Sequence, residues 1–129
     1  MLHKASALSI YDELLEVEIE AYLKKNPTRF DLIVCSDTLC YFGQLESFFK
    51  NAFASMVKDG SLIFTVEASA KNKGNFNLEE HGRYSHSENY VCEAIQTAGL
   101  DLDRISSVVL RMEKNTPVEG FLVVATAPI

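Results

Sequence analysis

A chain of 129 residues that is 47% hydrophobic and 23% charged has the size and composition of one globular domain. Its formal charge of -6 comes with no Lys or Arg cluster longer than a pair, which excludes a basic face for gripping a phosphate backbone, so no nucleic acid is expected as a partner. No apolar run approaches the roughly 20 residues that a membrane helix needs, so no membrane span is expected, and the opening MLHKASALS lacks the apolar stretch of a secretory signal.

In chain order, LLEVEI (14–19) fits a short strand, while EVEIEAYLKKN fits a helix ending before Pro27 equally well. FDLIVCS (30–36) is a continuous apolar run, the mark of a strand covered on both faces. From Gln44 to Val57 the apolar residues Leu45, Phe48, Phe49, Ala52, Phe53, Met56 and Val57 keep helical spacing, with Gly43 as N-cap and Gly60 stopping the chain. SLIFTVEA (61–68) is a strand rich in β-branched and aromatic residues, and 69–84, without periodicity, predicts a long loop. SHSE (85–88) predicts a capping box with Ser85 as cap, opening a helix that buries Val91, Ala94, Ile95 and Ala98 and closes at Gly99. DRISSVVLRME and EGFLVVATA predict an antiparallel pair joined by KNTPV. Alternation closed by a hairpin predicts an α/β fold, its sheet mostly parallel with one antiparallel strand at the far end.

That ending resembles the C-terminal portion of a class I S-adenosylmethionine-dependent methyltransferase. FDLIVCSDTLCYFGQLESFFKNAFASMVKDGSLIFTVE is similar to the family's strand, polar turn and helix leading to a Gly-Gly and a second strand; Gly60 keeps the second glycine and Asp59 replaces the first. YDEL (11–14), GRYSHSENYV (82–91) and VVLRMEKNTPVEGFLVV (108–124) together resemble the predicted methyltransferases associated with tetratricopeptide repeats in larger bacterial proteins. The family also has a glycine-rich turn, whose amides approach the cofactor, and a strand ending in an acid that holds the ribose. Neither has a counterpart here, and MLHKA (1–5) resembles the helix that follows that acid. The resemblance therefore implies an incomplete Rossmann-like sheet. Residues 1–129 would be a single domain, the C-terminal part of a methyltransferase-like domain lacking its glycine-loop half.

The resemblance also implies that the strand at 30–36 is central, beside a neighbour that is missing. About three backbone groups would be left unpaired, each worth about 1–3 kcal/mol if kept from water, against about 5–15 kcal/mol for a whole domain. Two repairs are expected: a homodimer pairing through this edge, or residues 13–18 crossing over beside it.

Ligands in such sheets sit outside the carboxyl ends of the strands. By resemblance, Glu18 and Ile19 lie near the adenine of the cofactor, S-adenosylmethionine, and Ser36, Asp37 and Tyr41 approach its methionine part and the methyl acceptor. Phe42, Arg83 and Tyr84 are substrate-binding candidates, and His86, titrating near neutrality at an expected helix start, is the candidate proton acceptor. Plainer readings stand beside these. Asp37 also suits a turn residue, Tyr41 and Phe42 a cover for the following helix, Arg83 a loop ion pair, Tyr84 a core anchor, and His86 a surface residue of a first turn. His81 and His86 stand five apart, off the spacing of helical ligand pairs, so no metal site is expected.

Cys35, Cys40 and Cys92 make an odd count without paired spacing, which predicts no disulfide framework and a cytoplasmic location. Cys40, in the turn, is the more reactive candidate, and an ordinary buried thiol is its plainer reading. The functional expectation is methyl transfer in a parent protein, to an unidentified acceptor, with this chain binding the cofactor weakly or not at all. The alternative is a non-catalytic dimerisation or scaffold module descended from a methyltransferase.

Overall fold

The computed structural model describes residues 2–8, 10–11, 13–15, 17–25, 29–70 and 74–129. In chain order these form α1 (Leu2–Leu8), α2 (Ile19–Lys25), β1 (Phe30–Cys35), a 3-10 turn (Leu39–Tyr41), α3 (Glu46–Ala54) and β2 (Met56–Ala68). There follow β3 (Phe76–Leu78), β4 (Tyr84–His86), α4 (Glu88–Thr97), β5 (Asp101–Glu113) and β6 (Thr116–Thr126). No helix among the described residues is long and apolar enough to cross a membrane.

β2 is the spine of a six-stranded mixed sheet. β1 runs parallel along one edge, from Leu32 opposite Ser61 to Cys35 opposite Phe64, and β4 continues on that edge, parallel at Glu67 and Ala68. β3 pairs antiparallel with β4. β6 runs antiparallel along the other edge of β2 and separates it from β5, to which it is also antiparallel. The α/β class is as expected, but two strands, β6 and the short β3, run against β2, and the C-terminal one, β6, lies inside the sheet rather than at its far end. β5 therefore points the same way as β2, and its carboxyl end reaches the same rim.

Of the two readings of the ambiguous stretch, the helix holds from Ile19 onward, as α2. The Glu18 carboxylate accepts from the amides of Glu20 at 3.1 Å and Ala21 at 2.7 Å, capping α2, which buries Leu23. Residues 13–15, 17 and 18 are neither helix nor strand, and among the described residues β1 pairs only with β2, so the expected crossover is not formed. Pro27, expected to end that helix, lies outside the described residues.

Helix α3 stops earlier than its apolar spacing suggests. The Ser55 hydroxyl donates to Leu23 O at 3.1 Å, and Ser55 O accepts from Phe30 N at 2.7 Å, so the chain turns into β2 at Met56. Gly60 thus lies within a strand. The expected loop at 69–84 contains β3 and the start of β4, and the cap of α4 is Ser87, whose hydroxyl accepts from Tyr90 N at 3.1 Å. Ser85, the expected cap, is a strand residue paired with Glu67. Lys114 and Asn115, both with positive φ, turn β5 into β6 in two residues.

Helices α2, α3 and α4 share one core with one face of the sheet. Phe48, Phe49, Val91 and Ile95 meet Leu62, Phe64 and Val66 of β2 and Val123 and Ala125 of β6. The opposite face is open: Val34 is 59% exposed on β1 and Leu122 38% on β6. The apolar run of β1, expected to be covered on both faces, is covered on one among the described residues.

Gly120 sits where β6 passes the end of β2. A Cβ there would lie 2.3 Å from Val66 O and 2.6 Å from Leu110 Cδ1. Gly120→Ala must push β6 away from β2, and is expected to lower stability by about 1–3 kcal/mol, read as a shift in urea midpoint. An unshifted midpoint would show that the two strands separate freely here.

Candidate functional site

The carboxyl ends of β1, β2 and β5 converge on one rim. At the end of β1, Asp37 adopts φ +54°, and its amide donates to Thr65 Oγ1 at 3.2 Å, tying the turn to β2. The Thr38 hydroxyl donates to Ser36 O at 3.0 Å. The 3-10 turn then buries Leu39 and Cys40 and leaves Tyr41 61% exposed. Cys40 is an ordinary buried thiol, its pKa pushed up by burial and Asp37.

Glu67, near the end of β2 and 8% exposed, is the most buried carboxylate of the rim. Its Oε1 is 3.0 Å from His81 Nε2 and its Oε2 is 3.4 Å from Arg111 Nη2. Arg83 N donates to His81 Nδ1 at 3.1 Å, which fixes the tautomer: Nδ1 accepts, and Nε2–H donates to Glu67. Arg111 also places Nη1 3.4 Å from Asp37 Oδ1 and donates from Nε to Glu113 Oε1 at 2.8 Å. Arg83 donates from Nη1 to that same oxygen at 2.7 Å. The two guanidinium groups, Arg111 foremost, hold the Glu113 carboxyl below its usual range, while Glu113 and then Tyr41 keep Arg83 firmly charged.

His86 lies elsewhere. It is a strand residue, fully buried, rather than a residue of a helix start beside the cleft. Its Nε2 is 2.9 Å from Phe42 O and 3.0 Å from Gly43 O, so Nε2–H is shared between two carbonyls of the turn leading into α3. Its ring stacks on Tyr90, 6.3 Å between centroids and 10° between planes. Tyr90 in turn donates to Glu46 Oε2 at 2.5 Å and accepts from Leu45 N at 2.9 Å. Burial pushes the His86 pKa down and that of Tyr90 up to about 12. The arrangement clamps residues 42–46 onto β4 and α4.

The sequence candidates thus separate into three places. Asp37, Tyr41 and Arg83 share the rim with Ser36 at its edge. Glu18 and Ile19 do not join them. Glu18 caps α2, and Ile19 lines a groove of about 440 Å³ with Leu15, Val17, Tyr22 and Phe30. Phe30 starts β1 and Ser36 follows its end, roughly 20 Å along an extended strand. Phe42 packs edge-on against Phe48, and Tyr84 against Phe76, so these two are anchors of the clamp.

Sequence reasoning passed over Glu67, Arg111 and Glu113, and considered His81 only as a metal ligand. Glu67 had a signal, an acid closing an apolar strand at the end where ligands bind. Arg111 and Glu113 had none until β5 was known to run parallel to β2.

No family profile and no curated protein matches the sequence. Solved structures do match the fold. A Listeria monocytogenes protein assigned as an S-adenosylmethionine-dependent methyltransferase aligns with all of this chain and 76% of its own, at 16% identity and a TM-score of 0.76. A SAM-dependent methyltransferase from Methanosarcina mazei aligns over 83% of this chain and 65% of its own, at 12% identity and TM-score 0.64. The fold is that of the S-adenosylmethionine-dependent methyltransferases.

A third example of this methyltransferase fold is the magnesium protoporphyrin IX methyltransferase of Synechocystis, solved with bound S-adenosylhomocysteine. It covers 98% of this chain at 14% identity and TM-score 0.65, and this chain spans 57% of it. This chain thus spans less than two thirds of two of these three methyltransferases.

Proposed function

We propose that this chain serves methyl transfer from S-adenosylmethionine and supplies the acceptor side of the site. The observation that carries this reading is the meeting of Asp37, Tyr41, Glu67, Arg83 and Arg111 at the carboxyl rim of a methyltransferase-like sheet. When bound, the cofactor supplies an activated methyl group on a sulfonium sulfur. Ser36, Asp37 and Tyr41 fit the holding of its methionine part, since the turn is tied to β2 through Asp37 N and these three residues are exposed.

Positioning of donor and acceptor is the main task of such a site. His86, fully buried, serves that task by fixing the turn after Tyr41 rather than by taking a proton from the acceptor. The chain's own hold on the cofactor is weak. Its six glycines, at 43, 60, 74, 82, 99 and 120, form no Gly-x-Gly turn through which backbone amides approach a ligand. A second copy pairing through the edge of β1 belongs to the same proposal, resting on β1 pairing only with β2 among the described residues.

Titration of the labelled chain with S-adenosylhomocysteine, followed by amide NMR, tests the reading. Shifts confined to Ser36, Asp37, Tyr41 and their neighbours are expected, with an affinity of about 1 mM or weaker, about -4 kcal/mol. An unresponsive rim up to the solubility of the ligand would overturn the methyl-transfer reading. Saturation far below that concentration would overturn the weak hold.

A further inference from the structure

The rim contains an ion pair of unusual form. Two arginines from opposite sides of the sheet, Arg83 just before β4 and Arg111 on β5, send N–H groups to one oxygen, Oε1 of Glu113. We propose that these arginines form an exchangeable carboxylate seat, filled by Glu113 in the free protein and yielded to a carboxylate of the methyl acceptor. The word acceptor rests on the function proposed above; the seat itself rests on the geometry.

Glu113 is the partner able to leave. It is the last residue of β5, directly before the Lys114–Asn115 turn, and its side chain is 37% exposed. Glu67 cannot leave as readily: its side chain is 10% exposed and is held by His81 as well as Arg111. Asp37 reaches Arg111 only at 3.4 Å. With Glu113 in place, Glu67, Asp37 and Glu113 oppose Arg83 and Arg111, so these five side chains sum to one negative charge. Departure of Glu113 leaves four that balance, and a monocarboxylate restores the original sum. A phosphate dianion would add one more negative charge, so the seat favours a carboxylate. Tyr41, 61% exposed beside Arg83, offers a ring against which an aromatic carboxylate lies flat.

The probe is benzoate, with benzamide as the uncharged isostere, titrated at fixed ionic strength while the guanidinium Nε–H signals of Arg83 and Arg111 are followed by NMR. Benzoate should move both signals. Glu113→Gln, which removes the internal competitor, should bind benzoate at least about tenfold more tightly than the natural chain. Adding Arg83→Gln to that variant should reverse the gain, and benzamide should move neither signal. Equal affinity in the natural chain and Glu113→Gln, or equal response to benzoate and benzamide, overturns the seat. Because no cofactor is present, this failure is separate from failure of the S-adenosylhomocysteine titration, which is scored at Ser36, Asp37 and Tyr41.

Discussion

His86→Ala is expected to destabilise the chain by about 3–5 kcal/mol, a loss in the range of a large buried side chain. Two effects add. Removing the ring opens a cavity beside Tyr90 and Phe76, and it leaves Phe42 O and Gly43 O without their shared donor inside the core. The same residue dictates a pH dependence. Burial lowers its folded-state pKa below the 6.5 of the free side chain, so the fold prefers neutral imidazole. Its contribution is complete above 6.5 and falls as acid drives the pH through that value toward the lowered one, where the unfolded chain binds a proton that the folded chain does not. A second buried N–H at Nδ1 would also meet no acceptor among the described residues.

Glu46 and Glu113, whose pKa values are lowered by Tyr90 and by the two arginines, lose their contributions only below 4.5, a separate window. Urea midpoints measured from about pH 8 to about pH 5 should therefore decline in the natural chain and stay level in His86→Gln. A parallel decline in both would assign the acid sensitivity elsewhere.

Phe49→Ala should cost about as much, roughly 3–5 kcal/mol, by a different route. Phe49 is fully buried on α3, its ring 5.8 Å from that of Phe48 and 5.1 Å from that of Phe64 on β2. It joins the helix to the spine of the sheet. Truncation should lower the unfolding midpoint and also loosen the turn at residues 36–45, which α3 anchors at one end and β1 at the other. Amide exchange at Leu39 and Leu45 is the measurement. Exchange no faster than the global loss of stability predicts would show that the turn is held by its ties to Thr65, His86 and Tyr90 without help from Phe49.

The strand at 30–35, the presence of helices over 46–54 and 88–97, and the end of the second near Gly99 were legible because local signals and tertiary demands agree there. Disagreement explains the misses. The helical spacing through Met56 and Val57 is real, but Ser55 is claimed by Leu23 and Phe30, and the next five residues join β2 instead. The pattern at 85–88 satisfies a capping box, yet Ser85 and His86 are drawn into the sheet by Glu67 and Ala68, moving the cap to Ser87. Three-residue strands such as β3 and β4 are too short to carry a period. The arginine cluster was invisible for another reason: nothing in the neighbourhood of Arg111 encodes the direction of β5, which is set by where β6 inserts.

That insertion also orders the events of biosynthesis. Between Ser61 and Glu67, β2 can be flanked on one side only by residues 120–126, about sixty positions later, and β5 meets the sheet only through them. A growing polypeptide on the ribosome consequently exposes Leu62, Phe64 and Val66 without their permanent neighbour until β6 emerges, a window in which wrong pairings compete. The interior of the sheet is finished by residues 116–126, so this half of the fold cannot close before that stretch has been made.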